Sequence, residues 1–310
     1  MEHTTFNNLV EELKVNHYIK DGRLVSAEEQ VLIFLDIVCH NNHMWETAVK
    51  SRCGLYTIQR YLAWVLDSLV AMYPNYVKFD MDPCKQPPHV SQNLKYRAFK
   101  HALGALDGVF VPAAVPTDQQ SPWRNRKGFL TQNVLAAVNF NFEFVYVLAG
   151  WEGSAHDTQV FNDVTSKGLK IPLKGYFLGD AGYGLRQGLM APFRGNRQKK
   201  PSNTKELYNL RHATLRNIVE RIFGCIKRKF SILQAAPEIE LKKQVRLIYA
   251  LCMLWNFIRS HESIENMFDD PAEDALTYTR TRMDDDHFNA RREQIAKKMW
   301  TQYVNYNKKS

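Results

Sequence analysis

Three carboxylates could carry chemistry, and the first stands where an unpaired charge is costly. Asp107 interrupts the apolar run Ala102 to Val111 (ALGALDGVFV), and Gly108 behind it lets a ligand approach the backbone. Asp180 closes the run Lys174 to Asp180 (KGYFLGD) and precedes Ala-Gly-Tyr-Gly. Glu220 lies four residues after Arg216 and eight after His212, so those three share a helix face distinct from the apolar stripe Leu215, Ile218, Ile222, Phe223, Ile226. Acids on two strands and one helix can converge on a point. Three hard oxygen donors favour Mg2+ or Mn2+ over Zn2+. Two such ions about 3.5–4 Å apart activate an attacking oxygen and stabilise a leaving one in phosphodiester chemistry. Taken singly, each acid has a plainer reading: Asp107-Gly108 as a turn, Asp180 as a cap, Glu220 beside Arg221 as a solvated pair.

The positioning elements follow from periodicity. Thr131 to Phe140 and Phe142 to Ala149 read as two strands joined at Asn139-Phe140-Asn141. With the runs holding Asp107 and Asp180 they make four strands. Helices are expected over Thr158 to Lys167, Arg211 to Phe230 and Leu247 to Arg259. The order strands, helix, strand, helix predicts an α/β domain over residues 99–260, a mixed sheet flanked by helices. Residues 1–78 read as all-α. Ser26 and Glu29 form a capping box, Met44 to Lys50 a short helix, Cys53-Gly54-Leu55 a turn, and Thr57 to Leu69 a long amphipathic stripe. That string suits a helix-turn-helix or a packing bundle. Pro83, Pro87 and Pro88 place a linker at 79–98, and the polar stretch 261–310 reads as a helical or mobile tail.

Composition narrows the class. The 310 residues carry 41 Lys+Arg against 32 Asp+Glu, a net charge of +9, which favours a polyanion partner. Aromatics at 12% and hydrophobics at 45% exclude wholesale disorder. No long apolar run predicts a membrane span. Five cysteines without a CxxC pair argue against a zinc ribbon and for a reducing compartment.

The basic residues cluster near the acids. Twelve Lys/Arg lie between Arg186 and Lys229 against two acids, Glu206 and Glu220, which suits contact with a phosphate backbone. Lys199, Lys200, Lys227, Arg228 and Lys229 stand out in that span. Trp123, Arg124, Arg126 and Lys127 place an aromatic in a basic loop, where it can stack on an unpaired base. Solvated loops and a charged helix face are the plainer reading. Lys199-Lys200 and Lys227-Arg228-Lys229 also suit nuclear import.

Five blocks in unbroken order carry a family resemblance: GALDGVFVPAAVP (104–116), WRNRKGFLTQNVLAA (123–137), LAGWEGSAHDTQVFND (148–163), YFLGDAGYGL (176–185) and LYNLRHATLRNIVERIFGCIKRKFSIL (207–233). The chain resembles the Harbinger transposase-derived nucleases of the PIF/Harbinger group of DDE transposases. The resemblance implies an RNase H-like domain and a metal-dependent DNA endonuclease, with Asp107, Asp180 and Glu220 as the acids. It also implies a nuclear setting, with the cytoplasm as a second location, and cooperation with a separate Myb/SANT-like DNA-binding protein. A homo-oligomer is open. Val109-Phe110 stands where family members often have Thr-His, while the acid before it is intact. The block His156-Asp157 makes Asp157 an auxiliary ligand or a helix N-cap. His156 and Arg216 are expected to position the ligands from behind. The rival functions are a tamed, catalytically silent DNA-binding regulator and a regulator that binds DNA mainly through residues 26–72. Strand transfer after cutting is open.

Overall fold

The computed structural model describes residues 1–79, 86–166, 168–194, 201–237, 239–263 and 285–307. Four helices come first: α1 (His3–Val15), α2 (Ala27–His40), α3 (Met44–Lys50) and α4 (Leu55–Tyr76). The expected capping box starts α2, with Ser26 Oγ accepting from Glu29 N and Glu29 Oε2 accepting from Ser26 N. Asn41, at φ 55°, ends that helix in the left-handed region that asparagine tolerates. The order helix, short helix, turn, long helix is as the periodicity predicts.

In the expected linker, a single turn, α5 (Pro88–Ser91), and a 3-10 turn at Arg97–Phe99 are ordered, with Val90 and Phe99 buried. The sheet follows: β1 (Ala102–Pro112), β2 (Thr131–Asn139), β3 (Phe144–Glu152), β4 (Tyr176–Gly179) and the short β5 (Leu189–Met190), which the sequence reading did not anticipate. Their order is β3-β2-β1-β4-β5. β2 runs antiparallel to β1 and β3, while β1, β4 and β5 are parallel. The β2–β3 turn is held by Asn139 Oδ1, which accepts from the backbone of Asn141 and Glu143.

Helices cover both sheet faces, as expected of a mixed α/β sheet. α6 (Asp157–Ser166) closes one face over Leu106, Leu135 and Ala137. α7 (Thr204–Lys229) and α8 (Leu241–His261) close the other over Ala105, Val134 and Val138. α7 is capped by Asn203, whose side chain accepts from Lys205 N and Glu206 N, and its first residue, Thr204, lies seven residues before the expected start. Residues Leu9 to Met72 of the first helices belong to the same continuous core as the sheet. The seam runs along α4 and α8. Tyr73 meets Tyr249, Tyr76 meets Phe257, and Asn256 Nδ2 donates to Tyr76 O. Within the tail, α9 (Asp286–Asn307) buries Phe288, Ala296 and Met299 and packs on α7. Its Arg292 is buried and donates to Pro192 O.

Candidate active site

β1 is the central strand, so its side chains are covered on both faces. Asp107 points to the face under α7, with Ala136 of β2 opposite and Leu106 beside Gly179 of β4. Asp180 is the next residue along β4. Neighbouring strands lie about 4.8 Å apart, so this register brings Asp180 level with Asp107. Beyond β4 the chain turns sharply, and the Asp180 carboxylate starts that turn by accepting from Gly182 N.

α7 supplies the third acid. Arg216 Nη1 donates to Asp107 Oδ2, and Arg216 Nη2 donates to Glu220 Oε1 at 2.8 Å, so one guanidinium joins strand and helix. The Arg216 side chain is 10% exposed, that of Asp107 18% and that of Glu220 27%, which leaves the acids on the open side of the pair. Burial pushes the Asp107 carboxyl up to about 7. Arg216 pulls it down, while Asp180 and Glu220 push it further up. Burial also works against the Arg216 charge, but Asp107, Glu220 and Asp180 together outweigh it and hold the guanidinium above its ordinary value. Asp180 thus acts electrostatically on both partners of the pair.

One guanidinium among three carboxylates leaves the cluster short of positive charge. The donors are all carboxylate oxygens, the ligand type that Mg2+ and Mn2+ prefer. The donor chemistry therefore fits a hard divalent cation. Among the described residues no three His, Cys, Asp or Glu side chains are gathered at metal-ligating range, and Arg216 lies between Asp107 and Glu220 instead.

His212 requires a correction to the expected helix faces. Its face is buried, not separate from the core: His212 is 1% exposed, lies against Met190 O and stacks on Tyr208. Burial drives its pKa down to about 3, so it is a neutral packing and hydrogen-bonding group. Helix α7 is covered on two sides, because α9 packs on it as well as the sheet. His156 is exposed at the start of α6. Asp157 is the first residue of α6, and its side chain lies outside the described residues.

The basic residues part company. Trp123, expected to stack on a base, is 9% exposed and packs with Ala113, Val115, Leu130 and Leu241. Its indole is spent on a small satellite core, which overturns the stacking role. Arg124 is a brace, donating to Gly128 O and Gln120 Oε1. Arg126 and Lys127 are exposed at the turn beyond it. Lys227 donates to Phe110 O at the end of β1, Arg228 is exposed, and Lys229 acts on the N-terminal amine and Cys39 at the first helices. Lys199 and Lys200 lie outside the described residues. Arg216 and Arg186 are committed internally, Arg186 to Asn162 and the Phe161 ring. The local charge excess therefore overstates what faces outward. Phe129, 66% exposed beside Arg126 and Lys127, is the aromatic that the sequence reading missed. Its signal was a large apolar residue directly after a turn glycine in a basic stretch.

Comparison with known proteins places these residues within a matched family span. Residues 106–256 match the family described as DDE superfamily endonuclease, a span that takes in Asp107, Asp180 and Glu220. Residues 1–71 match a family described as a domain of unknown function (DUF8040). The chain is 24% identical over 195 residues to "Protein ALP1-like" of Arabidopsis thaliana, which covers 57% of this chain and 47% of that relative. The match thus spans about half of the relative's length. No solved structure matches the chain.

Proposed function

We propose that the chain is a metal-dependent endonuclease that hydrolyses DNA phosphodiesters, a reading supported by the match of residues 106–256 to the DDE superfamily endonuclease family. The observation that carries this reading is that one guanidinium bonds both Asp107 and Glu220, while the strand register sets Asp180 beside Asp107, all within the matched span. The strand order β3-β2-β1-β4-β5, with β2 reversed, supports an RNase H-like assignment.

Asp107, Asp180 and Glu220 would hold Mg2+ or Mn2+. Bound there, one or two such ions would supply Lewis-acid chemistry to a phosphodiester. The rest falls to the chain itself. β1 and β4 hold two acids at fixed separation, and α7 brings the third against them. Arg216 holds the acids together without a cation, and a guanidinium freed from them is suited to a phosphate. Arg126, Lys127, Lys227 and Arg228 would carry the flanking backbone. Asp157 is either an auxiliary ligand or the start of α6. DNA is the substrate of this reading. A nuclear setting and a separate Myb/SANT-like partner belong to it through the family resemblance.

Nicking of supercoiled plasmid with Mg2+, Mn2+ or EDTA tests the proposal. Asp180→Asn is the better control than Asp180→Ala, because asparagine keeps the turn-starting acceptor and removes only the charge. The expected result is metal-dependent nicking by the unsubstituted chain and none by Asp180→Asn. Equal nicking by both removes Asp180 from the site. DNA binding without nicking in either metal, with the Myb/SANT-like partner supplied, would favour the tamed regulator, since the acids would then serve structure alone.

A further inference from the structure

The segment between β1 and β2 ends in a tight, heavily bonded turn. Asn125 N donates to Phe129 O at 2.9 Å, and Gly128 N donates to Asn125 O at 2.8 Å. Asn125 Oδ1 accepts from Lys127 N and Phe129 N. The Arg124 guanidinium closes the turn from outside on Gly128 O. Gly128 sits at φ 85°, a conformation that a side chain would strain. Arg124 and Leu130 pair across the base, and Leu130 packs on the buried Trp123.

What this turn presents is Phe129, with two-thirds of its surface open to solvent. A single exposed ring is ordinary on a protein surface, so its setting decides whether it has a use. Arg126 and Lys127 are exposed on the same turn. Lys227 stands on the path back to the acids, fixed to Phe110 O on β1. An apolar ring among cations suits a flat, polyanion-borne partner better than an apolar protein face.

We propose that Phe129 stacks on an unpaired base of the DNA flanking the cleavage point, with Arg126 and Lys127 on the adjoining phosphates. This rests on DNA being the substrate. The register sets the distance. Thr131, two residues after Phe129, pairs with Pro112, five residues along β1 from Asp107. At about 3.3 Å per residue the turn begins about 17 Å from the acids. That is roughly five base steps of duplex, so the stacked base lies in the flank and not at the cut. A ring held by its turn loses little entropy on stacking, which favours this use over a mobile side chain.

The test uses the full chain, with Ca2+ in place of Mg2+, and a duplex with a single-stranded flank. 2-Aminopurine is placed in that flank at one position after another. Binding should quench the probe at one or two adjacent positions only. Phe129→Ala should abolish that quenching and weaken binding to the flanked duplex roughly 5- to 100-fold, while blunt duplex affinity stays unchanged. Phe129→Trp should restore both. Quenching that survives Phe129→Ala overturns the stacking role while leaving DNA as the substrate intact. Equal losses on blunt and flanked DNA overturn it too, since they would make Phe129 part of general binding or of folding. If the unsubstituted chain, with the Myb/SANT-like partner supplied, binds neither DNA, the proposed function fails and the stacking role falls with it.

Discussion

Arg216 and Asp107, 109 positions apart in the chain, form a largely buried ion pair that also draws in Glu220. The pair is the physical joint between β1 and α7 at the candidate site. Removing one partner of such a pair strands the other charge. Arg216→Gln should therefore lower stability by about 3 kcal/mol without metal, as breaking a buried pair does. Millimolar Mg2+ or Mn2+ should recover much of that loss, because the acids would then find a different cation. Thermal denaturation with and without metal reads both effects. A variant that is destabilised and gains nothing from either metal would remove the acids from metal binding.

The pH dependence of stability should contain two opposed contributions. Burial raises Asp107 to about 7, so between roughly pH 4 and 7 the folded chain holds a proton that the unfolded chain has lost, and stability falls as pH rises. Burial lowers His212 to about 3, so between roughly pH 3 and 6.5 the unfolded chain holds the extra proton, and stability rises with pH. The two offset where they overlap. Relative to the unsubstituted chain, Asp107→Asn should add a positive slope of at most about 1.4 kcal/mol per pH unit, and His212→Gln a negative one. Metal-free urea denaturation across that window checks the signs. Slopes of the same sign in both variants would contradict the assignment.

Two glycines should answer oppositely to alanine. A Cβ on Gly104 would lie 1.8 Å from Val138 O, backbone that belongs to the paired strand and cannot swing away. Gly104→Ala should cost about 3 kcal/mol or more, the upper end for overpacking. Gly224, inside α7, has nothing within 4 Å of a built Cβ. Gly224→Ala should stabilise by about 0.5–1 kcal/mol through helix propensity. Denaturant midpoints decide both, and a destabilised Gly224→Ala would place something against that face of the helix.

Asn256 ties three elements. Its Oδ1 accepts from Phe144 N, and its Nδ2 donates to Phe144 O and Tyr76 O. Asn256→Ala should cost about 3 kcal/mol by leaving buried backbone groups unpaired. It should also speed amide exchange at the end of α4 and the start of β3 more than in the middle of α7. Uniform acceleration would mean that the first helices and the sheet unfold as one unit.

Much of this protein could be read from the chain alone, because the signals were local. Short apolar, β-branched and aromatic runs placed β1, β2 and β3, the period-3.6 stripe placed α7 and α8, and the Ser26–Glu29 spacing marked the start of α2. A charge within an apolar strand singled out Asp107, and the spacing of Arg216 and Glu220 put them on one helix face. What the chain could not show is whatever depends on which surfaces meet. Two residues of β5 carry no period of their own, and the strand exists through pairing with β4. Trp123 and Phe129 are both aromatic residues in one basic loop. Only the packing of Ala113, Val115 and Leu130 buries the first and leaves the second exposed. The same holds for Arg216, whose partner on β1 lies 109 positions away. Sequence spacing fixes neighbours along one element, whereas the charge balance of a site depends on contacts between elements, and those form only when the chain is folded.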